Sequence, residues 1–330
     1  MTLPSIRGRI GLPSLAHWSD PRERAKIRQR KFKRKRRRSL LEHLEDRRVL
    51  ATYSVTTLAD TGAGSFRSAL QAANATGVAD SIVFAESLAG TINLEVANGA
   101  LSITSPVSIH GPGSSSVTVN ANATPSDKFR VFEISATAND VSITGLTLTG
   151  GMVDDGGGGI LFRSADTLTL VDTVVTGNQA SSGGGIYSEY EGSIVLQSST
   201  VSGNTAESAT GGGIHAVDGD VSLTDSTISG NYSYSDGAGI FSQYAGNISI
   251  TDSQVVNNKV VEAGYHGGGI YGANGDITIT GSIISGNESK GDGGGVYSYK
   301  GSLTVSNTTV TGNRADYGGG GVFNYEGDLT

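Results

Sequence analysis

The residues of this 330-residue chain that are equipped for chemistry fall into columns. Asparagine recurs at Asn178, Asn204, Asn231, Asn258, Asn287 and Asn313, at intervals of 26, 27, 27, 29 and 26 residues. An aliphatic–aromatic pair recurs with it, giving Tyr187, His215, Phe241, Tyr271, Tyr297 and Phe323. Tyr190, Tyr244, Tyr299 and Tyr325 stand a few residues further on. Carboxylates recur at Asp172, Asp225 and Asp252, and again at Asp220, Asp276 and Asp328. Cleaving a polysaccharide would need a base to remove a proton α to a carboxylate, or a carboxylate pair, beside Ca2+ or other charge stabilisation. Beyond Gly150 the basic residues are only Arg163, Lys259, Lys290, Lys300 and Arg314, scattered among expected loops. The sequence therefore names no catalytic residue and no cofactor. The acidic corners could hold Ca2+, but each repeat supplies mostly single carboxylates, so they read as solvated turns and no metal site is assigned.

Six equivalent asparagines in a row point to a structural device. Each follows a corner, where Asn tolerates the left-handed conformation, and stacked amides can hydrogen-bond along an axis as an internal ladder. The Gly-Gly-Gly runs lack a following Lys-Ser/Thr and open no helix, so they read as turns and not as phosphate cradles. If Ile186 and its equivalents point inward, strand alternation points the neighbouring aromatics outward. Such a face either stacks on itself or binds sugar rings and partner proteins. Tyr187, Tyr190, His215, Phe241, Tyr244, Tyr271, Tyr297 and Tyr299 are the binding candidates, with carbohydrate or cell-surface proteins as partner classes.

The elements that must carry these columns come from an 11-residue unit, Val221–Asn231 (V-S-L-T-D-S-T-I-S-G-N). It recurs as Leu168–Asn178, Ile194–Asn204, Ile248–Asn258, Ile277–Asn287 and Leu303–Asn313, apolar at positions 1, 3 and 8 each time. Self-similarity at a fixed period marks a solenoid. Three short strands and three turns fit the period, which predicts an all-β, right-handed, single-stranded parallel β-helix from about residue 90 onward. The regular repeats span 141–330, and the last coil reads as uncapped at Leu329-Thr330. Residues 52–140 read as an N-terminal cap and first irregular coils. A helix capped by Ser65 runs there to about Ala73, with Phe66, Ala69, Leu70 and Ala73 on one face. The 49 glycines fall in register, which argues for tight turns and against disorder.

Charge divides the chain. Residues 1–50 hold 16 of the 24 Lys and Arg and 5 of the 31 Asp and Glu, leaving 8 and 26 for the body. Residues 1–51 read as a basic, disordered or partly helical targeting arm. Only Phe32 interleaves the charges of Lys31–Arg38 and nothing downstream is basic, so no nucleic-acid partner is expected. There is no cysteine and no apolar run near the roughly 18 residues of a membrane span. The stretch Leu40–Ala51 resembles the N-terminal sorting segment of planctomycete extracellular proteins through Leu44, Glu45, Arg47, Val49, Leu50 and Ala51. That resemblance implies an extracellular or cell-surface location. Ser65, Arg67 and Ala69 resemble part of the Cys-Ser-Leu-Arg-Glu-Ala signature of surface β-helix caps. The Gly-Gly-Gly-Ile and Ser-Gly-Asn repeats resemble those of polymorphic outer-membrane-protein-type surface proteins. What the resemblance implies is a non-catalytic, adhesin-like or envelope role; the alternative is a pectate-lyase-like polysaccharide lyase or hydrolase on the same scaffold.

Overall fold

Positions 1 and 3 of the unit share one face of a strand, and position 8 faces the same interior from the next, so every coil must close around its own apolar residues. The computed structural model describes residues 50–330, which form one compact unit. The basic arm, with whatever helix it was expected to hold, and most of the sorting motif lie outside the described residues.

Each regular coil runs through four strands. In the coil that begins at Val221 they are Val221–Thr224 in sheet 1, Thr227–Ser229 in sheet 2, Tyr232–Ser233 in a minor sheet and Ile240–Ser242 in sheet 3. Sheet 1 has ten strands, sheets 2 and 3 nine each, and the minor sheet six, all paired in parallel with their counterparts one coil away. The sequence predicted three strands. The fourth forms because the two residues after the invariant Asn stay extended long enough to bond to the next coil.

Register sets like on like. Val221 pairs with Ile248 and Leu223 with Ile250, and the column continues to Ile277 and Ile279. Ile228, Val255 and Ile284 line the interior from sheet 2, and Ile240, Ile270 and Val296 from sheet 3, all fully buried. Each such side chain contributes roughly 1.5–3 kcal/mol of burial, so the core grows by several aliphatic residues per coil.

The corners follow from backbone sterics. Position 5 is left-handed in all six units: Asp172, Ser198, Asp225, Asp252, Gly281 and Asn307 have φ between 43° and 64°. Position 10, five Gly and Asn257, has φ between 57° and 65°. The left-handed residue is thus the one before the invariant Asn, which corrects the expectation that the Asn itself takes that conformation. Freed from that duty, the Asn turns inward. Asn231 Nδ2 donates to Asn258 Oδ1 at 2.9 Å and to the Val201 carbonyl at 3.0 Å. Its Oδ1 accepts from the backbone N–H and the Nδ2 of Asn204, both at 3.0 Å.

A second ladder runs beside it. Position 6 is Thr173, Ser199, Ser226, Ser253, Ser282 or Thr308. Ser226 N–H donates to Ser253 Oγ at 3.0 Å, while Ser226 Oγ donates to the Thr224 carbonyl at 2.8 Å. These buried hydroxyls satisfy backbone N–H groups that the tight corner removes from the sheet.

Stacking begins earlier than the sequence suggested. Thr52–Val55 is the first strand of sheet 1 and pairs with Asp80–Phe84. Between them lies helix α1, Phe66–Asn74, whose N-cap Ser65 Oγ accepts from Ser68 N–H at 3.2 Å. Phe66, Ala69, Leu70 and Ala73 are buried, as their spacing predicted. Phe66 sets its ring edge-on to Phe84 and Phe132, at 4.9 and 5.9 Å. Arg67 is buried too, donating to Asp60 Oδ1 at 2.9 Å and to the carbonyls of Gly99 and Ala100 at 2.8 and 2.9 Å. α1 therefore covers the first cross-section of the core.

Candidate functional site

Sheet 3 alternates an inward aliphatic residue with an outward aromatic one, and its register joins Tyr187, His215, Phe241, Tyr271, Tyr297 and Phe323 into one column. The rings touch in sequence, edge-on from Tyr187 to Phe241 and stacked from Phe241 to Phe323, with centroids 4.8–5.5 Å apart. The column does point away from the core, but much of it is not an open face. His215, Phe241 and Tyr297 are buried, because residues just before the Gly-Gly-Gly turns fold over them. His266, for instance, stacks on Tyr297 at 4.5 Å. These turns need glycine for separate reasons: Gly211 has φ 68°, a Cβ on Gly212 would lie 2.2 Å from the Tyr232 carbonyl oxygen, and one on Gly213 would lie 3.0 Å from Asn231 Nδ2.

Burial sets the chemistry of this column. It pushes the Tyr297 phenol up to about 12 and raises those of Tyr271 and Tyr187. It holds the His215 imidazole down, to about 4, against the hydrogen bond to Gln243 that favours protonation. His215 Nδ1 lies 2.9 Å from Thr210 Oγ1 and Nε2 3.1 Å from Gln243 Oε1. These groups remain neutral near pH 7 and serve as packing.

The exposed aromatics lie at the margins. Tyr190, Tyr244 and Tyr325 are open to solvent, and Tyr299, half-buried, stacks on Tyr325 at 5.3 Å beneath Lys300 Nζ. Tyr232, Tyr234, Tyr265 and Tyr317, in the minor sheet and the variable loops, are exposed as well. Of the candidate binding residues, then, Tyr190 and Tyr244 are accessible while His215, Phe241 and Tyr297 are covered.

The charged residues gather into clusters that the sequence did not suggest. Lys259, Glu288 and Arg314 occupy one column of the minor sheet, with Glu288 contacting Lys259 at 3.0 Å, Lys290 at 2.9 Å and Arg314 at 2.8 Å. Lys290 and Lys259 hold the Glu288 carboxyl down, to about 2. Arg163 donates through Nε to Glu189 at 2.6 Å and through Nη1 to Glu133, and Arg130 pairs with Asp155. Of the basic residues, Lys259 and Arg314 sit at equivalent coil positions, each directly after an invariant Asn as Glu288 is, which aligning the repeats on that Asn makes visible.

The Asp columns work as turn residues. Asp220 Oδ1 accepts from Asn247 N–H at 2.7 Å, and Asp276 Oδ1 accepts from Ser302 N–H at 2.9 Å. Among the described residues, no three His, Cys, Asp or Glu side chains converge as a metal-ligand set, and no helix is long and apolar enough to cross a membrane. Two clefts open at the N-terminal end of the aromatic column, of about 490 and 300 Å³, and share Asp155.

No curated protein and no solved structure matches this chain. A family model described as "Right handed beta helix region" matches residues 131–315, more than half of the sequence and all six 11-residue units. Its match coincides with the stacked coils, the buried Asn ladder and the parallel sheets. The chain belongs to the right-handed beta helix family.

Proposed function

We propose that this chain is a non-catalytic, exported β-helix protein that binds glycan or protein partners along its tyrosine-lined flank, in an adhesin-like or envelope role. One observation carries the non-catalytic part. All eight Lys and Arg residues beyond position 50 lie within 3.9 Å of a carboxylate. A lyase of the pectate-lyase-like kind asks for a cationic or basic group directed at substrate, and here each such group already faces an acid. The carboxylates of Glu133 and Glu189 both accept from Arg163. The exposed tyrosines favour contact instead, since their rings offer large apolar area at low entropic cost. The sorting-segment resemblance of Leu40–Ala51 supports export.

The test is a screen of pectate, alginate and neutral glycans, with and without Ca2+, scored for both binding and cleavage. Binding without product release is the expected result. Release of unsaturated products, abolished by Lys300→Ala or Arg314→Ala, would defeat the reading and install the lyase in its place.

A further inference from the structure

The smaller cleft, at the N-terminal end of the aromatic column, has the composition of a sugar subsite. Its inner wall is apolar, formed by Leu161 and the ring of Tyr187. The Gly156 backbone packs against that ring, where a Cβ would lie 2.6 Å from its Cδ1. The rim is densely polar: Arg163, Glu189, Asp155 and the hydroxyls of Ser181 and Ser182. Arg163 spends Nε on Glu189 and Nη1 on Glu133, leaving Nη2, among the described residues, without a protein acceptor. Carboxylates fixed in this way accept strong, charge-assisted hydrogen bonds from hydroxyl groups.

From these features we infer that the cleft binds one uncharged pyranose ring, such as the terminal sugar of a neutral glycan. A pyranose presents a C–H face to an aromatic or aliphatic wall and hydroxyls at its edge, which is the division of this cleft. The volume of about 300 Å³ is at the lower end of ligand pockets and admits one ring rather than a chain. Charge selects against uronates. Asp155, Glu189 and Glu133 face the cleft or its border with Arg163 and Arg130 between them, so a sugar carboxylate meets an excess of like charge. The inference deepens the glycan-binding part of the proposed function but rests on other residues than the exposed flank, so the two fail separately.

Saturation-transfer NMR on the full chain tests it, with methyl glucoside, galactoside, mannoside and xyloside as neutral probes and galacturonate and glucuronate as acidic ones. At least one neutral glycoside is expected to bind, with the uronates about tenfold weaker or absent. Arg163→Met and Ser182→Ala should each weaken that binding by about tenfold, the loss of one to two hydrogen bonds, while Thr278→Ala, exposed in sheet 1 four coils away, leaves it unchanged. Ser182→Ala removes a hydroxyl that bonds to no described protein group, so it keeps the fold and decides the matter if Arg163→Met does not. Three results overturn the inference: no neutral glycoside binds, a uronate binds more tightly, or Ser182→Ala binds as the unmodified chain does. Binding that survives Ser182→Ala but is lost in Tyr244→Ala ends the subsite and leaves the flank standing.

Discussion

Asn231 and Asp225 stand six residues apart in one coil, and truncating each should have very different consequences. Asn231→Ala strips the Val201 carbonyl and the Asn204 N–H of their buried partners and interrupts the amide ladder. A cost of about 3 kcal/mol is expected for leaving such groups unsatisfied. Asp225 is exposed at φ 50°, so Asp225→Ala costs about 1 kcal/mol, the strain of a left-handed alanine. Calorimetric melting of the two variants checks this, and equal melting temperatures would count against the ladder. His215 gives a pH test. Its folded-state pKa, about 4, lies below the ordinary value of 6.5. Stability is therefore complete above pH 6.5 and falls as the unfolded chain takes up a proton that the folded chain refuses, down to about pH 4. The full loss is about 3 kcal/mol, and His215→Phe should flatten the melting temperature across that window. Residue identity alone revealed the Asn row because every copy is Asn. The Ser/Thr row at position 6 carries as much structure, but two residue types and their abundance elsewhere mask it.

Helix α1 differs from every other element because it closes a stack where the rest extend it. Coils of a solenoid contact only their neighbours, so damage at a cap stays near the cap. Phe66→Ala removes the ring lodged against Phe84 and Phe132, at a cost of about 4 kcal/mol. Hydrogen exchange should then show Thr52–Val55 and Asp80–Phe84 losing protection while Ile248–Thr251 keeps its own. Uniform loss in all three strands would mean that the stack melts as one unit. The helix was legible from Ser65 and the spacing of Phe66, Ala69, Leu70 and Ala73. The role of Arg67 was not, because its partners are Asp60 and the carbonyls of Gly99 and Ala100, which only folding brings together. The minor sheet escaped notice for another reason: a two-residue strand has no period to read.

At the scale of the whole body, the fold was legible and the exposed aromatic surface only half so, for one physical reason. Periodicity reports which residues point inward, since burial demands the same apolar type in every coil. It does not report which outward residues are later covered by a loop, and that is what separates Tyr244 from Phe241. Tyr190, Tyr244 and Tyr325 belong to different coils. Tyr190 and Tyr244 are two coils apart, about 10 Å at the spacing of paired strands, and Tyr325 lies three coils further. A ligand that engages them must be extended, and each contact must be weak and separable. Substituting Tyr190, Tyr244 or Tyr325 with Ala should therefore weaken binding of a long glycan or protein partner by less than about tenfold each. Sites this far apart add in free energy, so the triple variant should lose the product of the single effects. Surface plasmon resonance on immobilised chain would measure it. If one substitution removed binding entirely and the other two did nothing, the interaction would belong to a single pocket and not to the flank.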